Sequence, residues 1–203
     1  MAQSKMPRDL HRHLIATATA IAPALGRDIA TVGPLWFPDR EGDVVAFLGR
    51  AVVGQQLSAK AARSIWARVE AASGAELVAL FHDDNHATLG ACGLSRGKVK
   101  ALCGIGAAAR AGELDHAMLV ALDHAARMTQ LTRLWGIGPW TCDMLSIFYF
   151  RDTDIWPEGD LAVQNVFRRY IGRKSPRKAS LAFSPWRSIL SLYMWKLVDA
   201  APP

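Results

Sequence analysis

A chain of 203 residues accommodates one domain or a pair of closely packed lobes, and with 51% hydrophobic residues it can bury a core, which excludes a disordered tail. The formal net charge of +6 points to an anionic partner without identifying it. Three cysteines, Cys92, Cys103 and Cys142, make neither an even disulfide set nor a CxxC pair, which suits a reduced cytoplasm; the N-terminus lacks a signal-peptide profile, and no apolar run reaches membrane-spanning length.

Helical periodicity dominates. Apolar residues recur at three and four positions through 10–25, 44–53, 59–69, 99–111 and 186–198, and alternating runs of β-branched residues are missing. Breakers at Gly33-Pro34, Ser73-Gly74, Gly93, Gly112, Gly136 to Pro139, Pro157 to Gly159, Gly172 and Ser184-Pro185 divide these segments. The pattern predicts an all-α fold of roughly eight to ten short helices with tight connections. No linker is long enough to separate independent domains. Trp66 and Trp186 sit at helical spacing among apolar neighbours and are expected in packing.

The most informative stretch covers residues 131–148. A short helix runs into Gly136-Ile137-Gly138, and a second apolar-periodic helix leaves through Met144, Leu145 and Phe148. Two glycines one residue apart allow a sharp turn and a close approach to another molecule, and Pro139 suits the first turn of the next helix. Such a turn aims amide N–H groups at a positive helix end, a place for a phosphate. A glycine-rich connection between two core helices is the plainer reading of the same residues. Further on comes Asp154-Ile-Trp-Pro-Glu-Gly-Asp-Leu-Ala-Val-Gln164, with Asp160 at the expected start of a helix over 161–171. There it can cap the helix or, as an ionised carboxylate favoured by the macrodipole, serve chemistry.

Together, Gly-Ile-Gly-Pro-Trp-Thr and Trp-Pro-Glu-Gly-Asp-Leu-Ala-Val-Gln resemble the helix-hairpin-helix superfamily of DNA glycosylases, in its 3-methyladenine DNA glycosylase II branch. The resemblance extends from about Asp43 to Trp195. It implies one glycosylase domain over 1–203 made of two helical lobes, an active-site cleft between them and no N-terminal β domain. It also implies double-stranded DNA with damaged bases as partner, and Asp160 as the catalytic carboxylate stabilising an oxocarbenium-like sugar. Trp140, Met144 and Trp195 match positions lining the pocket for the flipped base. Trp140 stands where lyase-active members carry a lysine, so water is the expected acceptor and the strand stays intact.

The same resemblance places Gln56, in Val52-Val-Gly-Gln-Gln-Leu-Ser58, as the side chain inserted into the gap. The segment also reads as a turn with Ser58 capping the next helix. Gly136, Gly138 and Thr141 are expected to contact DNA. Arg96 and Lys98, in Gly93-Leu-Ser-Arg-Gly-Lys98, either reach phosphates or are simply solvated. The main-chain carbonyls of Thr132, Leu134 and Ile137 match a monovalent-cation site; no cofactor is required. The four-cysteine iron-sulfur cluster of some members is not expected, because the last cysteine is Cys142. The resemblance suggests a monomeric bacterial cytoplasmic protein associated with the nucleoid through DNA. A non-catalytic binder of DNA structure, or a glycosylase for a deaminated purine or uracil, would share these motifs.

Overall fold

The computed structural model describes residues 6–39 and 42–198. Among them there are thirteen α-helices and no strand, so the all-α expectation is met with more helices than periodicity indicated. The surplus consists of helices too short to show a period and of one periodic segment that divides in two. The chain divides into two compact units, one formed by Met1–Asp39 with Ser146–Pro203 and the other by Arg40–Leu145. No helix among the described residues is long and apolar enough to cross a membrane.

In the first unit, residues 10–25 form not one helix but two, α1 (Arg8–Ile21) and α2 (Pro23–Val32). Pro23 has no N–H to donate and forces Ala22 out of the helical region, to φ −154° and ψ 114°. It then opens α2 at the position where a missing N–H costs nothing. Leu10, Leu14, Ala18, Leu25 and Ile29 are buried. α11 (Leu161–Ile171), α12 (Pro176–Ser180) and α13 (Arg187–Lys196) complete the unit. Phe167 is its aromatic centre, edge-on to Trp156 at 5.2 Å and to Phe183 at 6.3 Å. The buried hydroxyl of Tyr193 accepts from the Leu35 N–H at 3.2 Å, lies 3.0 Å from the Gly33 carbonyl oxygen, and so joins α13 to the segment after α2.

The second unit is built around α3 (Val44–Gly54), whose Val44, Val45, Leu48, Val52 and Val53 are all buried. It is followed by α4 (Ala59–Ser73), α5 (Leu77–Leu80), α6 (His86–Ala91), α7 (Arg96–Arg110), α8 (His116–Ala121), α9 (His124–Leu131) and α10 (Pro139–Met144). After α10 the chain continues in a wider π-type turn over Leu145–Phe150. Side-chain caps set most of the starts: Asp43, Ser58, Ser95, Asp115 and Asp123 each accept an N–H three residues on. Trp66 is buried, as its spacing indicated, whereas Trp186 in the first unit is half-buried.

Gly106 in α7 marks the closest approach in this unit. A Cβ there would lie 2.0 Å from the Phe81 carbonyl oxygen, a backbone atom that cannot swing away. Gly106→Ala should therefore destabilise the protein by about 1–3 kcal/mol through overpacking. Helix propensity alone predicts a gain of about 1 kcal/mol. Urea unfolding of the two proteins gives the sign directly.

Candidate functional site

In the first unit the sequence from Asp152 to Asp160 has almost no regular structure, and α13 and α11 hold it. The Arg187 guanidinium forks onto Asp154, with Nε 2.7 Å from Oδ1 and Nη2 2.9 Å from Oδ2; Nη2 also donates to the Asp154 carbonyl at 2.9 Å. The buried Ser188 hydroxyl donates to the Asp152 carbonyl at 2.6 Å and accepts the Ile155 N–H at 2.9 Å. Nearer the carboxylate, the buried Gln164 amide donates to the Pro157 carbonyl at 3.1 Å, and the Asp160 N–H reaches the same oxygen at 3.0 Å.

Asp160 itself is 8% exposed. Its Oδ1 accepts the Val163 N–H at 2.9 Å, which makes it the N-cap of α11, and its Oδ2 accepts the Trp195 indole N–H at 3.2 Å. The helix cap and the expected reactive group are therefore one carboxylate, oriented through both oxygens. Trp195, expected to line a base pocket, is half-buried, touches Asp160 with its polar edge and lies 5.3 Å from the Phe148 ring.

In the second unit, α9 ends at Leu131 and Gly136 turns the chain with φ +83°, a region that favours glycine. Gly138 is extended and caps α10, Pro139 takes the first helical position, and the Cys142 N–H closes the first turn on the Gly138 carbonyl at 3.1 Å. The His124 imidazole Nε2 lies 3.0 Å from Asp143 Oδ1, tying the two arms of this hairpin. Trp140 is 42% exposed, while Met144, one turn on, is buried. Thr141, expected to contact DNA, is buried. It is 2% exposed, because α10 turns positions 141 to 144 inward and leaves Pro139 and Trp140 outside. The carbonyls of Thr132, Leu134 and Ile137 belong to this turn, where Leu134 O accepts the Ile137 N–H at 3.1 Å and retains a second lone pair.

The 54–58 loop lies against the hairpin in the same unit. Gln56, the expected wedge, is in the left-handed region at φ +57°, a conformation that costs a non-glycine residue about 1–2 kcal/mol and persists only when its surroundings fix it. Its neighbour Gln55 donates from the side-chain amide to the Gly136 carbonyl at 2.9 Å. Lys98, expected to reach phosphates or water, is instead half-buried and donates to the carbonyls of Val53 and Gln55, both at 2.8 Å. Those carbonyls end α3 without helical partners, and an ammonium is a favourable group to meet them. Arg96, two residues earlier, is exposed. An open cavity of about 410 Å³ is lined by Gln55, Gln56, Ser95, Lys98, Trp135 and Gly136 among others.

Gln55, Gln164, Arg187 and Ser188 were not singled out from the sequence. Polar residues beside a motif carry a signal only when their long-range partner is known. Two thiol environments bear on chemistry. Burial foremost, and then Asp143, push the Cys142 thiol in α10 up to about 11, so it is a packing group and not a nucleophile. Asp83, His86 and Cys103 have donor atoms within 4.8 Å of one another. Burial first, and then Asp83, raise the Cys103 thiol, and Asp83 pairs with His86 at 3.3 Å, so the three groups satisfy each other.

The chain is similar to proteins of known activity. DNA-3-methyladenine glycosylase 1 of Schizosaccharomyces pombe is 32% identical to it over 173 residues, covering 76% of this chain and 73% of that protein. The solved structure of the DNA-3-methyladenine glycosidase of Bacillus halodurans superposes with a TM-score of 0.78 at 25% identity, over 91% of this chain and 88% of the other. The S. pombe 3-methyladenine DNA glycosylase in complex with abasic DNA gives 0.76 at 27% identity, over 90% and 94%. The chain spans 41% of the length of the related DNA repair enzymes of Mycobacterium tuberculosis. No protein-family model matches it.

The clamp on the 152–155 loop has a titration consequence. Burial would raise the Asp154 carboxyl, but hydrogen bonds from Arg187 and Ser184 and the Arg187 charge outweigh it and hold the carboxyl below its usual value. A carboxylate depressed on folding contributes stability above its unfolded value and loses it as pH falls through the folded one. Asp154→Asn should therefore be clearly less stable than wild type at pH 7, with the gap closing as pH drops below about 4. Paired urea melts across that range measure it, and a gap independent of pH would contradict the ion pair.

Proposed function

The chain belongs to the DNA-3-methyladenine glycosylase family, and on that basis we propose that it is a base-excision-repair enzyme, a monofunctional glycosylase removing alkylated purines of the 3-methyladenine and 7-methylguanine type from double-stranded DNA. The observation that carries the reading is the buried Asp160 carboxylate, aimed by Val163 and Trp195 from the start of α11.

Breaking the C1′–N bond sends its electron pair to the base and leaves positive charge on the sugar. A fixed carboxylate beneath C1′ stabilises that charge and orients the water that attacks it. An alkylated purine already carries a positive charge, so the departing pair neutralises it and no dedicated acid is needed. The base is reached by flipping. Trp140, the exposed indole at the start of α10, offers the electron-rich face that attracts such a cation, with Met144 behind it. Trp195 contributes as the group that orients Asp160.

The second unit supplies the grip. The Gly136–Gly138 turn and the start of α10 present main-chain N–H groups to a phosphate, Arg96 is exposed to reach another, and Gln56 fills the gap that the flipped base leaves. Neutral main-chain oxygens suit a hard monovalent cation, and Thr132, Leu134 and Ile137 would hold it, adding positive charge beneath the hairpin. The enzyme acts as a monomer and needs no other cofactor. Water is the acceptor because the hairpin helix has no amine nucleophile: Trp140 stands at the position concerned and the Cys142 thiol is buried.

With dimethyl-sulfate-treated duplex, wild type should release 3-methyladenine and 7-methylguanine and leave the strand uncut. Asp160→Asn should lower release at least about 100-fold while binding to abasic duplex persists. Equal loss of binding and release would remove Asp160 from the chemistry, and a borohydride-trapped covalent complex would refute the monofunctional assignment. Gly138→Asp should weaken binding to every duplex and lower the salt slope by about one phosphate contact. An unchanged slope, measured by anisotropy, would exclude the hairpin as that contact.

A further inference from the structure

Three features of the second unit converge on the loop at 54–58. Lys98, from the first turn of α7, closes onto the carbonyls of Val53 and Gln55 at the end of α3. Gln55 in turn closes onto Gly136 of the hairpin with its side-chain amide. Between these two attachments Gln56 is kept in the left-handed region, where a residue with a Cβ does not rest unless it is held. The far side of the loop is fixed as well: the Leu57 N–H reaches the Gly54 carbonyl at 3.2 Å, and Ser58 caps α4.

We propose that Lys98 and Gln55 form a brace that presets Gln56 and fastens it to the hairpin, so that the phosphate-gripping turn and the inserted side chain move as one rigid piece. Both are positioning residues, and neither touches the substrate. The hydrogen-bonded path runs from Lys98 Nζ to the Gln55 carbonyl, along the Gln55 side chain, and from its amide to the Gly136 carbonyl. Such a path gives a reason for a lysine facing inward beside an exposed Arg96, where a phosphate contact would need it to face outward. It also gives a reason for two consecutive glutamines, one that holds and one that is held. Insertion then requires no reorganisation of the loop at the moment the base leaves the stack, which is where preorganisation raises a rate.

The brace rests on the reading of Gln56 under the proposed function, so its test has an arm independent of activity. Lys98→Met removes the ammonium and keeps the stem, and Gln55→Glu keeps the shape but cannot donate to Gly136. In the DNA-free protein, amide hydrogen exchange across 54–58 should speed up at least tenfold in both variants, while the buried amides of α3 and α7 keep wild-type protection. Unchanged exchange, or uniform loosening of the whole unit, overturns the brace. In the second arm, single-turnover release of methylated bases should fall at least tenfold in both variants with an unchanged salt slope for duplex binding. A slope lower by about 0.9 in Lys98→Met would make Lys98 a phosphate contact and overturn the proposal. Release at the wild-type rate would do the same. Should wild type release no base at all, the enzymatic reading fails while the exchange arm still decides the brace.

Discussion

The Asp160 carboxylate is held through one oxygen by the backbone of the helix it begins and through the other by the indole of a different helix. On the proposed reading the carboxylate works beside a developing cation while largely shielded from water, a task served by donors that accept no proton themselves. A main-chain N–H and an indole N–H are of that kind. Once those donors are required, α11 must begin at Leu161 and α13 must pass close enough to deliver Trp195. The irregular segment ahead of Asp160 must also be anchored so that the carboxylate cannot drift. Arg187, Ser188 and Gln164 provide the anchoring, each by bonding a main-chain or side-chain oxygen of the 152–157 stretch. α13 thus serves at both ends, with Arg187 and Ser188 fixing the entrance of the loop and Trp195 its outcome.

The second unit solves a different problem with the same means. Its hairpin and its 54–58 loop are both short turns with residues at positive φ. What makes them definite is hydrogen bonding to carbonyls left over at turns and helix ends, by Gln55 at Gly136 and by Lys98 at Val53 and Gln55. Orphan carbonyls that would otherwise need water become fastening points. The two units thus divide the work of the glycosylase reading, with chemistry on one and grip and insertion on the other.

Much of this was legible beforehand, and what was legible was local. The start of α11 at Leu161, the turn at Gly136 to Pro139 and the caps at Ser58 and Asp160 depend on residues a few positions apart, and the sequence pattern locates each of them. Pro23 is equally local, yet the apolar period continues across it and only the missing N–H breaks the helix. Lys98 and Thr141 face inward for a reason that is not local. Whether a lysine near a helix start faces water or a neighbouring helix end, and whether the third residue of a short helix lies inside, is decided by packing partners more than forty residues away in the case of Lys98. Gln164, Arg187 and Ser188 belong to the same class.

The first unit is interrupted in sequence by the whole of the second. Its early helices find their partners only when Tyr193 arrives to bond Leu35, 158 positions later, and when Tyr170 reaches Asp28. During synthesis, at about 5–20 residues per second, Arg40–Leu145 is complete and free to fold while α1 and α2 still wait for a core. On the glycosylase reading, the segment proposed to hold the duplex leaves the ribosome ahead of the one that carries Asp160, so the proposed reactivity is the last property the chain gains.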